Sequence, residues 1–538
     1  MDTVMPRIRY LLAAVSLISL LASPAMAASQ AETPKPGASV PNAEAAPVKP
    51  EGPKPDSRQP IALADAVLQA LERNLDITIS RQIKESRLSD IIFEQAKFDP
   101  TVSLNGQYNR FVTPLNRPIL GFLGGTTATA AGEPATFDQN QTSVTFDLTQ
   151  NLITGANYDI NFSPQRTFVA GPNQFLFNSA YTSGLAFTLT QPLLRNFGTD
   201  INRTLIRVAQ NNATVEQQVF LDRVLTVMAT VEQAFWELVF VNENLKVAQA
   251  ALKAAEELMA SNRAKAKAGV MALVEVLQAE AGVASRVEQI LIAEKAIRDQ
   301  EDQLRRLLNP DEQDLRQDVK LLPVDQPLQS LEPITLEEAI DTAIERRPEV
   351  LQASKNIDTS DLNTKFAKNQ LLPTLSAQGT AGLAGLGGGL SDMFERNFGG
   401  NFYNYGGGLV LSYPLGNRSA WSQYNKRQLE SRNARATLQS IRQQVILSVK
   451  EAVRRVQTDF KRIETTRSAR ILAEKQLQAE QERFKVGLST TIFVLGFQRD
   501  LAIARANELR AIVDYNKSLS NLARNKATTL ERYHVVLQ

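Results

Sequence analysis

The chain says one thing twice, and that repetition constrains its fold more than any other feature. Ile61 to Gly106 reads IALADAVLQALERN…FEQAKFDPTVSLNG, and Ile334 to Gly379 reads ITLEEAIDTAIERR…FAKNQLLPTLSAQG. Ile61 matches Ile334, Phe93 matches Phe366, Pro100 matches Pro373 and Gly106 matches Gly379, all at one constant offset without a gap. Two copies at so long a period mean duplicated halves, 61–320 and 321–532, rather than a solenoid of short repeats. A short tail, 533–538, follows.

Each half follows one plan: a short helix, a medium helix, strands, then two very long helices. Leu63, Val67, Ala70 and Leu71 mark the first helical stripe, and Phe98-Asp99-Pro100 ends the second helix. The strands show as alternation. Val102, Leu104 and Tyr108 alternate with Ser103, Asn105, Gln107 and Asn109. Val144, Phe146 and Leu148 alternate with Ser143, Thr145, Asp147 and Thr149, and Tyr158, Ile160 and Phe162 with Asn157, Asp159 and Asn161. Leu185, Phe187 and Leu189 follow, and the second half adds strands from Leu375 and through Leu409, Leu411 and Tyr413. Strands of about 9–11 residues, apolar on one face and polar on the other, are the pattern of a transmembrane β-barrel. A half-buried sheet in a soluble sandwich is the competing reading of the same alternation.

From Ile201 to Ala268 there is neither proline nor glycine. At about 1.5 Å per residue such a helix runs roughly 100 Å. Its partner spans Met271 to Leu308, and Ile441, Val445, Val449, Ala452 and Val456 set a matching seam in the second half. Narrow apolar seams on charged helices need partners to bury them. A barrel makes the same demand, because hydrocarbon tolerates no open sheet edge and closed barrels begin at eight strands. Two to four strands in the first half and two in the second fall short of that number, so the chain must oligomerise.

The remaining residues narrow the function by exclusion. The 59 basic and 57 acidic side chains give a net charge of +2, which offers no basic face for nucleic acid. There is no cysteine, and the single histidine is His534, so zinc sites, thiol nucleophiles and histidine acid–base pairs lose their usual residues. No cofactor, metal site or enzymatic activity is expected. Arg7 and Arg9 precede an apolar run from Leu11 to Leu21 and an A-x-A site at Ala25 and Ala27, so residues 1–27 read as an export signal. No later segment is read as apolar enough to span a membrane as a helix. Residues 28–60, rich in Ala, Pro, Lys and Glu, read as a linker.

The stretch Glu482 to Leu501, ERFKVGLSTTIFVLGFQRDL, resembles the R-F-x-V-G…V-L hairpin tip of the TolC-like outer-membrane efflux protein family. KAKAGVMALVEVLQAEA is its first-half counterpart, with Gly269 and Val276 in register with Gly487 and Val494. Thr190-Gln191-Pro192-Leu193-Leu194 and Ser412-Tyr413-Pro414-Leu415 are similar to the family's strand-to-helix junctions, and the likeness covers nearly all of residues 60–532. The resemblance implies a mixed α+β membrane protein of duplicated helix-strand-helix halves, with a transmembrane β-barrel shared by a homotrimer and a long α-helical coiled-coil tunnel in the periplasm. It implies an outer-membrane location in a Gram-negative-type bacterium, in contact with outer-membrane lipid. The implied partners are a periplasmic adaptor and an inner-membrane pump or transporter, in tripartite efflux or type I secretion. A soluble periplasmic adaptor or scaffold is the alternative, though one hairpin and no two-faced strands would suffice for it.

Site residues follow from the same likeness. The adaptor would meet the tips at Gly269, Val270, Val274, Gly487 and Leu488. Acidic residues often ring the family's tunnel mouth, but here the second tip carries Phe493 and Gly496, which leaves Glu275 as a possible constriction or as a solvated helix residue. Arg263, Lys265 and Lys267 offer positive charge near the first tip. The run Gly382 to Gly389 reads as a surface loop, Trp236 as seam packing and Trp421 as an interface anchor. Residues 142–164 look like an extra strand pair. Two strands per half give a trimer twelve strands, and the extra pair, if in the wall, gives eighteen.

Overall fold

The computed structural model describes residues 58–115, 135–170, 175–316 and 320–536. The expected export signal, most of the linker and the last two residues of the tail lie outside the described residues. The first half comprises β1 (Arg58–Ile61), α1 (Leu63–Arg73), α2 (Leu75–Gln95), β2 (Thr101–Leu115), β3 (Ala135–Asn151), β4 (Asn157–Phe162), β5 (Gln165–Val169) and β6 (Ala180–Pro192). It continues with α3 (Thr199–Asn202), α4 (Thr204–Lys267), α5 (Leu273–Leu308) and α6 (Glu312–Leu315). The second half comprises β7 (Lys320–Pro323), α7 (Leu336–Arg346), α8 (Pro348–Asn369), β8 (Thr374–Gly387), α9 (Leu390–Phe398), β9 (Tyr403–Ser412), α10 (Arg418–Lys485), α11 (Thr491–Asn525) and α12 (Thr529–Arg532).

The duplication is structural. In α1 the buried Ala66, Val67 and Ala70 press on α4, where Val224, Met228, Val231 and Phe235 carry the core. In α7 the matching Ala339 and Ala343 press on Val445, Val449 and Val453 of α10, with Ile512, Tyr515 and Leu519 of α11 closing the cluster. Alanine at these points lets a short helix lie close against a long one, and its loss of side-chain entropy is nil. Residues 58–60, expected in the linker, are strand: β1 runs parallel to β7 across the boundary between the halves. Asp325 accepts the backbone N–H of Leu63 at 2.5 Å and so caps α1 from the other half.

One 18-residue stretch of α4 is apolar enough to cross a bilayer, contrary to the reading of the sequence, but 67% of it is buried inside the protein. Phe220, Met228, Phe235 and Trp236 explain why: they form the core against α1 and α5. Trp236 packs its ring edge-on to Phe235, as seam packing requires. Trp421 lies in α10, half exposed and edge-on to Tyr424.

The strands form one antiparallel sheet in the order β2-β3-β4-β6-β8-β9, with β5 pairing β3 and β6. Because β4 and β5 both lie between β3 and β6, they occupy one line of the sheet, interrupted after Phe162. The extra pair therefore exists, over 135–151 and 157–169, and β5 is the part that alternation did not reveal. In the rows that cross β4 the two faces differ in character. Val102, Leu148, Ile160, Phe187, Ala381 and Tyr405 lie side by side across all six lines. The adjacent row, on the opposite face, is Thr101, Thr149, Asp159, Thr188, Thr380 and Gly406. The large residues of the apolar face, Leu104, Phe146, Tyr405 and Leu409 among them, are exposed.

The glycine run from Gly382, expected as a loop, is strand as far as Gly387. Glycine is needed there because α9 folds back onto β8. A Cβ at Gly385 would stand 2.4 Å from the Met393 carbonyl oxygen, and one at Gly387 would stand 2.7 Å from the Met393 nitrogen. Phe394 of α9 stacks on Phe162, Phe398 lies tilted beside the same ring, and Asn397 donates to Ser183 Oγ at 2.5 Å.

Candidate functional site

The far ends of the helical hairpins collect the residues singled out by sequence. Both long descending helices stop in the same way. Gly269 and Gly487 take left-handed backbone, φ +75° and +78°. Gly269 N–H donates to Ala266 O and Val270 N–H to Lys265 O, both at 3.0 Å; Gly487 and Leu488 repeat this on Phe484 and Arg483. This is the Schellman arrangement, in which a C′ glycine lets two backbone N–H groups satisfy carbonyls of the last turn. The turns then expose apolar side chains: Val270 is 74% exposed, Leu488 71%, and Val274, Leu273, Ile492 and Phe493 are exposed beside them.

Behind the turns the two hairpins are locked together. The Glu275 carboxylate accepts the backbone N–H of Thr491 at 2.8 Å, at the start of α11. Asn262, fully buried in α4, donates to Thr491 Oγ1 at 2.7 Å and to the Glu275 carbonyl at 3.2 Å. A helix N-terminus has unsatisfied N–H groups and a partial positive charge, so a carboxylate is a fitting partner. Glu480 holds the second tip internally, through Ser489 Oγ and Arg483. Leu258, Leu477, Phe484, Val494 and Leu501 pack the space between the hairpins. Gly282 of α5 makes close approach possible, since a Cβ there would stand 2.8 Å from Leu495 of α11.

Of the basic residues near the first tip, Arg263 is paired with Glu280 at 2.7 Å and Lys265 sits over the Phe484 ring. Lys265 thus joins the hairpins instead of standing free. Sequence reasoning missed Asn262 and Thr491. Thr491 lies 216 residues from Glu275, and only the constant offset between the two tips hinted that they meet. Among the described residues no cluster of acidic or histidine side chains is placed to hold a metal ion.

The family model described as outer membrane efflux protein matches residues 66–310 and 339–525, one segment in each half. The chain belongs to that family. It is a family of channels, not a class of enzyme, and its outer-membrane membership settles what the two-faced sheet is: the wall of a transmembrane β-barrel, apolar toward lipid and polar toward the lumen. No curated protein sequence matches the chain significantly. Solved structures share the fold at low identity. The CmeC outer membrane channel of Campylobacter jejuni matches with a TM-score of 0.61 at 15% identity, covering 87% of this chain and 85% of that one. VceC of Vibrio cholerae matches at 0.61 and 15%, covering 86% and 96%. The open MtrE channel of Neisseria gonorrhoeae matches at 0.60 and 16%, covering 87% and 89%. As an efflux protein of the outer membrane, the chain passes substrates outward, with its long helices forming the tunnel.

Proposed function

We propose that three copies of this efflux protein build one exit duct, closed at the tips of the hairpins and opened by a periplasmic adaptor that works with an inner-membrane pump. The open edges of the protomer carry the proposal. Among the described residues the sheet ends on β2 at one side and β9 at the other, and each leaves a row of backbone N–H and C=O groups with no partner strand. In a bilayer that is untenable, so β9 of one copy pairs with β2 of the next. The helical layer is open at the same sides. Exposed Ile79, Ile83 and Ile92 stand on α2, and exposed Leu429 and Leu447 on α10. A head-to-tail contact of this kind closes only as a ring.

The duct performs no chemistry. Its tips dock the adaptor through Val270, Val274, Leu488 and the two turns at Gly269 and Gly487. The bonds of Glu275 and Asn262 to Thr491 hold the hairpins closed, and adaptor binding releases them. Glu275 therefore serves the constriction as a latch within one protomer. Reconstitution in planar bilayers tests the reading: a three-chain particle that conducts ions supports it. A protein that stays soluble and monomeric without detergent, and leaves the bilayer unchanged, would favour the scaffold.

A further inference from the structure

We propose that the β3–β4/β5 hairpin is a full member of the membrane wall, so that the closed barrel has eighteen strand lines and a bore as wide as the helical tunnel below it. This rests on the three-copy duct. Three observations carry it. First, the hairpin lies between β2 and β6 and pairs with both, so without it those two strands would have to meet. Secondly, along β4 and the part of β3 from Val144 to Leu148 its side chains keep phase with the rest of the sheet. Phe146 and Phe162 continue the apolar row of Leu104, Leu185, Leu383 and Tyr403, with no slip. A hairpin lying in water above the membrane would have no reason to keep that phase, since one residue of slip would turn every side chain over. Thirdly, the polar face is stitched across the insertion. Ser103 donates to one oxygen of Asp147 at 3.3 Å, and Asn161 donates to the other.

The width agrees. Each protomer sets four helices side by side: α2, α4, α8 and α10 next to the sheet, and α5, α4, α11 and α10 toward the tips. At about 9 Å between axes, four helices span an arc of about 36 Å. Six strand lines about 4.8 Å apart, tilted by about 40°, span about 38 Å, whereas four lines span about 25 Å. On these spacings the six-line wall comes nearer to the helical arc than a four-line wall does. The barrel is then about 36 Å across between backbones, against about 24 Å for twelve lines.

The chain lacks cysteine, so single cysteines can be placed on a clean background in the full-length protein. With a membrane-impermeant maleimide on whole outer membranes, Thr149→Cys and Asp159→Cys should label through the lumen. Leu148→Cys and Ile160→Cys should stay unlabelled behind lipid. Imaging of the unsubstituted protein, which depends on no variant folding, should show a threefold ring of eighteen strand lines. Equal labelling of both rows, or a threefold ring with twelve lines and the hairpin outside it, overturns the inference and leaves the duct standing. A particle that is not a threefold ring overturns both.

Discussion

Glu275 and Thr491 meet across the two hairpins: the Glu275 carboxylate accepts the Thr491 backbone N–H at 2.8 Å. A residue at the start of α5 thus caps α11, and one hydrogen bond joins the tips of the two halves. Asn262, buried beneath, binds both partners.

Glu275→Ala should loosen the closed tips by about 1.5–3 kcal/mol, the usual worth of a hydrogen bond to a charged group. Glu275→Gln keeps an acceptor oxygen and should lose less. Single-channel recording should show a higher resting conductance in both, larger for alanine, with faster hydrogen exchange at Thr491. Adding Asn262→Ala should give less than the sum, because both side chains act on Thr491. Unchanged conductance in all three would remove the latch.

Gly269→Ala and Gly487→Ala should each cost about 1–2 kcal/mol, the penalty of placing an L side chain in left-handed backbone. The cost is conformational alone, since a Cβ at either site meets nothing within 4 Å. Asparagine should cost less than alanine at both. Hydrogen exchange of the last helical turns measures this, and equal effects of alanine and asparagine would contradict the turn geometry.

How much of this was legible in sequence depends on the distance over which each signal acts. Alternation in Val144, Phe146 and Leu148 revealed a strand because facing is a period-two property of the strand itself. The same cue failed at β5, where Arg166 and Phe168 share a face and no apolar row marks it. Glycines 382, 385 and 387 read as a loop because nothing local tells that α9 returns to lie on them. The turns at Gly269 and Gly487 were readable, since a left-handed C′ residue favours glycine whatever surrounds it. Glu275 was visible as a charge, but its partner is a backbone N–H in the other half. Only the fold brings them together.

Val270→Asp and Leu488→Asp should change the stability of the protein by less than about 0.5 kcal/mol, because exposed positions tolerate polar substitution. The adaptor should nevertheless fail to co-purify, because the substitutions put charge into an apolar docking surface. Retained co-purification with both variants would move the docking site away from the turns.

Glu237 of α4 binds Arg510 at 2.8 Å and also Lys517, both on α11, and so ties the halves together. Burial pushes its carboxyl up, but the Lys517 bond and the charges of Lys517 and Arg510 outweigh that and hold it below the ordinary value. A depressed carboxylate adds stability that is present above its unfolded value of about 4.3 and is lost as pH falls through the folded one. Thermal unfolding at falling pH should therefore show a loss in the wild type that Glu237→Gln lacks. At neutral pH the variant should be less stable by about 1–2 kcal/mol, as expected when a partly buried charge loses its partner. Parallel pH profiles would contradict the assignment.

The central claim is that this efflux protein closes β9 on β2 of the next copy to make a three-chain duct. Single-particle imaging of the detergent-purified mature protein tests it most directly. The account requires a hollow particle with threefold symmetry, a continuous strand wall and helical hairpins that meet at the far end. A solid or monomeric particle, with β2 and β9 left as free edges, would contradict it.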